Sequence, residues 1–134
     1  MVCPYCCSQT CVTNSRPQEK SRGVWRRRCC YDCGQTFTTQ ETVVESKVFV
    51  FEGEDGHVEP FSRDKLLISM YDSLKHRKSA VADASALVDT VLGKVFKASA
   101  GPTIKRDLLT NIAANTLKQF DKPAQVHYLA YFKK

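Results

Sequence analysis

The sequence predicts an α+β protein, in which a small cysteine-rich β ribbon precedes a domain made of a β-hairpin and about four helices. Three observations lead to this prediction. Two Cys-x-x-Cys pairs lie near the N-terminus, an Asp-Gly turn separates two apolar β-rich runs near residue 55, and apolar residues at helical spacing follow from residue 62 onwards. We therefore expect the ribbon to cover residues 1–46 and the second domain to cover residues 47–134.

The two Cys-x-x-Cys pairs provide the ligands of a predicted metal site. Two such turns supply the tetrahedral set of four thiolates that Zn²⁺ prefers. A redox motif of the thioredoxin type needs a βαβ context, and nothing before the first pair supplies its first strand. A disulfide framework is disfavoured because seven cysteines are an odd number and no apolar signal segment follows Met1. The predicted zinc ligands are Cys3, Cys6, Cys30 and Cys33.

Three further cysteines, Cys7, Cys11 and Cys29, leave the register of the site open. Cys7 and Cys29 each adjoin a predicted ligand, so the pairs could shift to Cys3 with Cys7 or to Cys29 with Cys33. Four thiolates are enough for one ion, and we expect the spare thiols to pack as small side chains or to face solvent. A redox sensor built from them is the alternative.

Three short strands are predicted around the cysteine pairs, over residues 12–15, 24–28 and 36–39. Residues 16–23 have the polar, Pro- and Gly-containing composition of a connecting loop. Three strands with a metal at one end make a zinc ribbon. A core of this size needs the metal for much of its folding free energy.

The second of these strands carries Trp25 and an arginine run. Alternation along the strand places Trp25 and Arg27 on one face, and Arg26 and Arg28 on the other. Arginine suits phosphate because its planar fork donates two parallel hydrogen bonds, and an aromatic ring beside it can stack on a base. The alternative is a solvated charged face with Trp25 covering the small core. Beside a zinc ribbon, contact with nucleic acid is the better interpretation.

The charge balance favours an anionic partner. The net charge is +6, and residues 1–40 contribute +4, which a zinc ion held by four thiolates lowers to +2. The positive field is therefore concentrated in the arginine run. No apolar run approaches the length of a membrane span, so we expect no membrane partner.

The second domain begins with a predicted hairpin and continues as helices. Residues 48–51 and 57–61 are the β-rich runs around the Asp55-Gly56 turn, and Ser62 is the predicted N-cap of the first helix. Four apolar stripes follow, and we expect them to form the core. They are Leu66, Leu67, Met70, Tyr71 and Leu74; Leu87, Val88, Val91, Leu92, Val95 and Phe96; Leu108, Leu109, Ile112, Ala113, Leu117 and Phe120; and Val126, Leu129 and Phe132.

These motifs together resemble the NrdR family, the bacterial transcriptional repressors of ribonucleotide reductase genes. The matching ribbon segments are Cys3-Pro4-Tyr5-Cys6, Ser15-Arg16, Arg26-Arg27-Arg28, Cys30 with Cys33, and Phe37-Thr38-Thr39. The matching segments of the second domain are Asp55-Gly56, Glu59-Pro60-Phe61, Lys65-Leu66, Arg77, Asp121-Lys122, and the aromatic residues Tyr128 and Tyr131. The resemblance covers nearly the whole chain.

This resemblance implies a zinc ribbon joined to an ATP-cone, a small nucleotide-binding domain of a β-hairpin and helices. By similarity, the chain would repress ribonucleotide reductase genes, bind double-stranded DNA through the ribbon, sense ATP and dATP through the cone, and change its homo-oligomeric state. The implied DNA contacts are Arg16, Arg26, Arg27 and Arg28, to which the strand pattern adds Trp25. The implied nucleotide-site residues are Phe51, Asp55, Glu59, Lys65 and Tyr128.

The hairpin departs from the family pattern, which usually reads Val-x-Lys-Arg-Asp-Gly. Gly53 and Glu54 stand where the family has Lys and Arg, so positive charge is lost where a triphosphate needs cations or backbone donors. Lys47, Arg63 or Lys65 can compensate for this loss. The alternative function is a zinc-ribbon regulatory module whose cone no longer binds nucleotide and contacts a protein instead.

The residues do not predict an enzyme. A closed site of four cysteines leaves no coordination position for an activated water, and His57, His76 and His127 are scattered along the chain. The absence of a targeting signal and the metal thiolates lead us to expect a cytoplasmic protein. With the resemblance, they suggest a nucleoid-associated regulator of bacterial or phage-like origin.

Overall fold

The computed structural model describes residues 1–19 and 22–132 and confirms the α+β fold class. The chain forms two compact units, Met1–Val43 and Val44–Lys134. The sequence places the boundary between residues 46 and 47, but the units meet three residues earlier, because a short helix, α1 (Glu45–Val48), belongs to the second unit. Within the described residues, no helix is both long and apolar enough to cross a membrane.

The first unit contains a three-stranded antiparallel sheet in the order β1-β2-β3. Its strands are β1 (Thr10–Gln18), β2 (Gly23–Cys30) and β3 (Thr36–Glu41). The central strand β2 pairs on both sides, so every residue of the arginine run lies opposite one residue of β1 and one of β3. The arginine run is therefore held by the most constrained strand of the unit.

Strand β1 is longer than the sequence predicts. Residues 16–18 have the composition of a loop, but they continue the strand, with Pro17 opposite Val24. Proline is tolerated here because β1 is an edge strand, where a missing N–H does not interrupt a ladder on the outer side. The predicted loop also contains Lys20 and Ser21, which lie outside the described residues.

A β-bulge at Thr13 changes the pairing of β1 with β2. The register shifts on either side of this residue, and the hydroxyl of Thr13 donates to the carbonyl oxygen of Arg27 at 3.2 Å. A bulge shifts the pairing by one residue on one strand and increases the local twist. Beyond it, Arg16 lies directly opposite Trp25, which places Arg16 beside the arginine run.

The second unit has a small mixed sheet in the order β5-β4-β6. The predicted hairpin is present as β4 (Val50–Glu52) and β5 (Val58–Pro60), and it is shorter than predicted because Val48 lies in α1. A third strand, β6 (Thr103–Lys105), pairs with β4 in parallel and is missing from the prediction. It has only three residues, of which Ile104 alone is buried, so it shows too little alternation to be recognised.

Four further helices complete the second unit, in agreement with the predicted number. They are α2 (Arg63–Leu74), α3 (Ala80–Ala98), α4 (Arg106–Phe120) and α5 (Lys122–Phe132). The predicted N-cap of α2 is confirmed, because the hydroxyl of Ser62 accepts a hydrogen bond from the backbone N–H of Lys65 at 3.3 Å. Such a cap satisfies one of the free N–H groups at the start of a helix.

The apolar stripes of α2, α3 and α4 supply most of the core, together with Phe61 and Ile104. Three predicted core residues are wrong: Tyr71, Phe120 and Val126 are 36%, 43% and 68% exposed. On α5 the fully buried residues are Ala124 and Tyr128 instead. The large ring of Tyr128 buries more apolar area than Val126 and turns this face of the helix inwards.

Candidate metal centre and nucleic-acid interface

The sulfurs of the four predicted zinc ligands converge between the two Cys-x-x-Cys turns. All four Sγ atoms, those of Cys3, Cys6, Cys30 and Cys33, lie within 4.8 Å of one another. The distance is 3.7 Å between the sulfurs of Cys3 and Cys33, and 3.4 Å between those of Cys6 and Cys30. In a tetrahedron with Zn–S bonds of about 2.3 Å, the sulfurs are about 3.8 Å apart. The donor set and its spacing fit Zn²⁺.

The alternative registers of the metal site are not formed. Cys7 and Cys29 do not belong to the converging set. Within residues 1–19 and 22–132, no second group of three or more His, Cys, Asp or Glu side chains converges in this way. Cys3 and Cys30 are buried, whereas Cys6 and Cys33 are exposed, so the site lies at the surface of the small sheet.

Each Cys-x-x-Cys turn is followed by a residue in the left-handed conformation. Cys7 has φ 62° and Gly34 has φ 68°. In the first turn, the N–H of Cys7 donates to the carbonyl of Cys3 at 2.9 Å, and the N–H of Tyr5 donates to Cys3 Sγ at 3.4 Å. Glycine adopts this backbone conformation freely, whereas a residue with a Cβ pays about 1–2 kcal/mol. The first turn is therefore strained at Cys7.

Hydrogen bonds and crowding give the clustered thiols different pKa values. Hydrogen bonds with the backbone and side chain of Ser8 lower the pKa of Cys6 to about 6. At Cys33, the backbone hydrogen bond of Gln35 favours the thiolate, but desolvation and the neighbouring sulfurs raise the pKa to about 12. Adjacent thiols resist ionising together, because each thiolate repels the next. A divalent cation supplies the charge that lets all four ionise.

Side-chain partners confirm the alternation predicted for the arginine run. Arg26 Nη2 donates to Oε2 of Glu41 at 3.1 Å, and Arg28 Nε donates to Oγ1 of Thr39 at 3.1 Å. Glu41 and Thr39 are two positions apart on β3 and so share one face of the sheet. On this face, the charge of Arg26 is compensated by a carboxylate.

The opposite face carries Arg16, Trp25 and Arg27, and we call it the Arg27 face. Arg27 Nη2 donates to the neutral hydroxyl of Thr36 at 2.8 Å, so this hydrogen bond does not cancel its charge. Arg16 lies opposite Trp25 in the β1–β2 pairing. Arg16 and Arg27 are exposed and Trp25 is half-buried. The five predicted DNA contacts are thus divided between two faces of one sheet.

The five predicted nucleotide-site residues have different environments in the second unit. Phe51 and Glu59 lie opposite each other in the hairpin, and Lys65 Nζ lies 2.6 Å from Oε2 of Glu59. Asp55 accepts a hydrogen bond at 3.1 Å from the backbone N–H two residues further on and so shapes the turn. Tyr128 is only 2% exposed, and burial raises its pKa to about 12. Phe51, Glu59 and Lys65 therefore lie close together at the hairpin. Asp55 instead stabilises the turn, and Tyr128 packs in the core.

Three basic side chains near the hairpin each face a carboxylate. The ion pairs are Lys65 with Glu59 at 2.6 Å, Arg106 with Glu54 at 3.1 Å, and Arg63 with Asp89 at 2.7 Å. Sequence reasoning missed Arg106, because it follows β6, and β6 reaches the hairpin only through its parallel pairing with β4. An anion at this end of the unit has to compete with these carboxylates.

A cavity of about 170 Å³ lies beside α2 and α5. Of the five predicted nucleotide-site residues, Lys65 lines it. Three aromatic side chains of α5, those of His127, Tyr131 and Phe132, also line the cavity, and the ring centroids of His127 and Tyr131 are 5.4 Å apart. The cavity therefore has a candidate phosphate ligand, Lys65, and aromatic side chains in its wall.

Comparison with known proteins identifies the family. Residues 1–41 match the family described as "Transcriptional repressor NrdR-like, N-terminal domain". A transcriptional repressor NrdR from Streptococcus suis (strain 05ZYH33) is 32% identical over 134 residues, covering 99% of this chain and 81% of the relative. The chain belongs to the NrdR family of transcriptional repressors. NrdR proteins from Streptococcus gordonii and Anaplasma phagocytophilum are 33% and 32% identical, cover 99% and 98% of this chain, and are themselves covered to 84% and 86%.

Membership of the NrdR family confirms the resemblance seen in the sequence. The segment that matches the family's N-terminal domain contains all four converging cysteines and both faces of the arginine run. Its relatives are transcriptional repressors, so the chain is a regulator and not an enzyme. The converging sulfurs make the N-terminal unit a zinc ribbon of this family.

Proposed function

We propose that the chain is a nucleotide-responsive repressor that binds double-stranded DNA through its zinc ribbon and controls ribonucleotide reductase genes. The observation that carries the DNA part is the Arg27 face. There, two exposed arginines and Trp25 lie on a sheet whose end holds the four clustered cysteines. Such a surface combines two phosphate ligands with an aromatic ring.

The residues of the ribbon have distinct proposed roles. Arg16 and Arg27 contact phosphates, and Trp25 between them packs against the sugar-phosphate backbone or a base. Arg26 and Arg28 lie on the other face, where they have partners on β3, and they add to the positive field that attracts DNA. Zinc, when bound, holds the two turns together and keeps β2 in position.

The salt dependence of DNA binding tests this assignment. The zinc-loaded chain is titrated with a fluorescent duplex of about 30 base pairs at several salt concentrations, since each lost phosphate contact lowers the slope of log K against log salt by about 0.9. Arg27→Ala should lower both the slope and the affinity. Arg26→Ala is the matched control, because its guanidinium is compensated by Glu41. We expect it to change the slope by less than half as much.

Two results would count against the DNA-binding surface. If Arg27→Ala binds with the parent's affinity and slope while its zinc content is normal, Arg27 has no role in DNA contact. If Arg26→Ala and Arg27→Ala lower the slope equally, DNA does not distinguish the two faces and the Arg27 face is not the main contact.

We further propose that the second unit is an ATP-cone that binds ATP and dATP and changes the homo-oligomeric state. The proposed site comprises Phe51, Asp55, Glu59, Lys65 and Tyr128, and we add Arg106 because it pairs with Glu54 of the hairpin turn. The proposed phosphate contact of Lys65 is supported by its position in the wall of the cavity beside α2 and α5 and by its contact with Glu59 of the adjacent hairpin. Asp55 and Tyr128 support the site by fixing the turn and the inner face of α5.

A second candidate function follows from the ion pairs. If the carboxylates of Glu54 and Glu59 keep Arg106 and Lys65 occupied, the cone is a protein-interaction module that binds no nucleotide. Calorimetric titration of ATP and dATP into the zinc-loaded chain separates the two functions, with oligomer size measured in parallel. Binding that is lost in Lys65→Ala supports the sensor. Lys118→Ala is the control, because this exposed lysine lies in the last turn of α4 and does not line the cavity.

A further inference from the structure

We propose that Cys11 and Cys29 form a reversible disulfide across the ribbon, a modification site separate from the four zinc ligands. The two residues lie directly opposite each other in the antiparallel pairing of β1 with β2, and their side chains therefore share one face of the sheet. Both are free and half-buried. Neither belongs to the converging metal set.

The backbone places the two residues at a suitable distance. The N–H of Tyr31 donates to the carbonyl of Gln9 at 3.2 Å, which marks these two as a hydrogen-bonded pair. Hydrogen-bonded and non-hydrogen-bonded pairs alternate along an antiparallel ladder, so Cys11 and Cys29, two positions further on, are again a hydrogen-bonded pair. Such pairs have Cα atoms about 5.5 Å apart. Disulfides span Cα distances of about 4.4–6.8 Å.

The present contacts of the two sulfurs do not block the bond. Cys11 Sγ already points towards its partner and lies 3.5 Å from the carbonyl oxygen of Cys29. Cys29 Sγ lies 3.6 Å from the carbonyl oxygen of Cys30 and 3.7 Å from that of Gly34. A thiol is a weak hydrogen-bond donor. A rotation about χ1 of Cys29 therefore breaks only these two weak contacts and turns the sulfur towards Cys11.

The strand geometry separates this pair from the metal site. Cys29 and the zinc ligand Cys30 are neighbours on β2, and neighbouring side chains on a strand point to opposite faces. The third spare cysteine, Cys7, directly follows the first Cys-x-x-Cys turn and does not lie on a paired strand. Cys11 and Cys29 can therefore join without withdrawing a ligand, whereas Cys7 has no such partner across the sheet.

The oxidant that we assign to this step is a small-molecule disulfide such as oxidised glutathione. One protein thiolate attacks the disulfide, forms a mixed disulfide and releases one glutathione thiol. The second protein thiol then attacks the protein sulfur of the mixed disulfide, which forms the Cys11–Cys29 bond and releases the second glutathione. The two cysteines lose two electrons, and the protons end on the two glutathione thiols. A dithiol reductant reverses both steps.

The bond would cross-link β1 to β2 next to Arg27, which shares a face with Cys29. A cross-link between strands restricts the unfolded chain. After a chelator removes zinc, the oxidised ribbon should therefore retain more of its β structure than the reduced ribbon. Far-ultraviolet circular dichroism after chelation measures this difference. Disulfide formation itself does not require that the Arg27 face binds DNA.

Peptide mapping of the zinc-loaded full chain tests the proposal. The protein is incubated with oxidised glutathione, the remaining thiols are alkylated, and proteolytic fragments are identified by mass spectrometry while zinc content is measured. We expect a Cys11–Cys29 cross-linked peptide that a dithiol cleaves, at unchanged zinc content. Cys11→Ser and Cys29→Ser should abolish it. Cys7→Ser is the matched control and should retain it.

Three results would overturn the proposal. The first is the absence of the cross-linked peptide from zinc-loaded protein. The second is stable glutathione adducts on Cys11 or Cys29, which would show that the second thiol cannot reach the first. The third is a cross-link that appears only as zinc is lost and includes a ligand cysteine.

Discussion

Cys7→Gly should tighten zinc binding, because Cys7 holds a backbone conformation that glycine adopts at little cost. Its φ is 62°, and Gly34 has φ 68° at the same place after the second Cys-x-x-Cys pair. A Cβ in this conformation costs about 1–2 kcal/mol. The greater freedom of glycine in the unfolded chain offsets about 0.5–1 kcal/mol of the gain. The net gain of about 0.5–1 kcal/mol corresponds to roughly 2- to 5-fold in affinity, since metal binding and folding of a small ribbon are coupled.

Gly34→Ala is the matched variant, and its effect on zinc affinity should be opposite to that of Cys7→Gly. A Cβ added at Gly34 meets no atom within 4 Å, so the substitution changes backbone strain and creates no clash. We expect it to weaken zinc binding roughly 2- to 5-fold. Competition with a chromophoric chelator at fixed pH measures both variants. If both bind zinc as tightly as the parent, the left-handed residues are not coupled to the metal site and the strain argument is wrong.

Two further predictions concern the second unit. Asp121→Asn should lower the free energy of unfolding at pH 7 by about 1–3 kcal/mol, because Asp121 accepts hydrogen bonds from the N–H of Ala124, from His76 and from Arg77 at 3.0–3.1 Å. These contacts, the N–H of Ala124 first, hold the pKa of Asp121 below its usual value. Its stabilisation is therefore complete above about pH 4 and is lost as the pH falls through the lowered pKa. Urea unfolding at pH 7 and pH 3 measures the effect. Glu54→Gln should strengthen nucleotide binding on the order of 5-fold, because it frees Arg106 from its ion pair and removes a repulsive carboxylate. Calorimetry with ATP measures this affinity.

Each of these predictions has an outcome that contradicts it. If the free energy of unfolding of Asp121→Asn differs from that of the parent by the same amount at pH 3 as at pH 7, the ionised carboxylate is not the source of the stabilisation. If Glu54→Gln leaves a measurable ATP affinity unchanged, the Glu54–Arg106 pair lies outside the nucleotide site. Glu45→Gln is a suitable control, because this acidic residue lies in α1, away from the hairpin turn.

Local patterns predict the metal site well, because most of its geometry is local. A Cys-x-x-Cys turn sets the relative positions of two sulfurs, and only the β1–β2 pairing is needed to bring Cys3 close to Cys33. Strand alternation likewise predicts that Arg26 and Arg27 lie on opposite faces. It does not reveal the bulge at Thr13, which depends on how two strands pair.

Sequence patterns do not predict which residues are brought together by tertiary contacts. Arg106 lies near the hairpin only because β6 pairs with β4, and β6 itself is too short to show a period. The sequence also does not identify the buried face of α5, since apolar residues such as Val126 and Tyr131 occur around the whole helix. Packing against α2 and α4 decides that Tyr128 turns inwards.

The affinity of the zinc-loaded chain for promoter DNA, measured with and without nucleotide, is the most direct test of nucleotide-responsive repression. The probe is a duplex from upstream of a ribonucleotide reductase gene of the same genome, titrated alone, with ATP and with dATP, while oligomer size is followed. We expect binding that requires zinc and the Arg27 face, with an affinity that changes between nucleotide conditions as the oligomer changes. The same affinity in all three conditions, with no nucleotide bound, would contradict it.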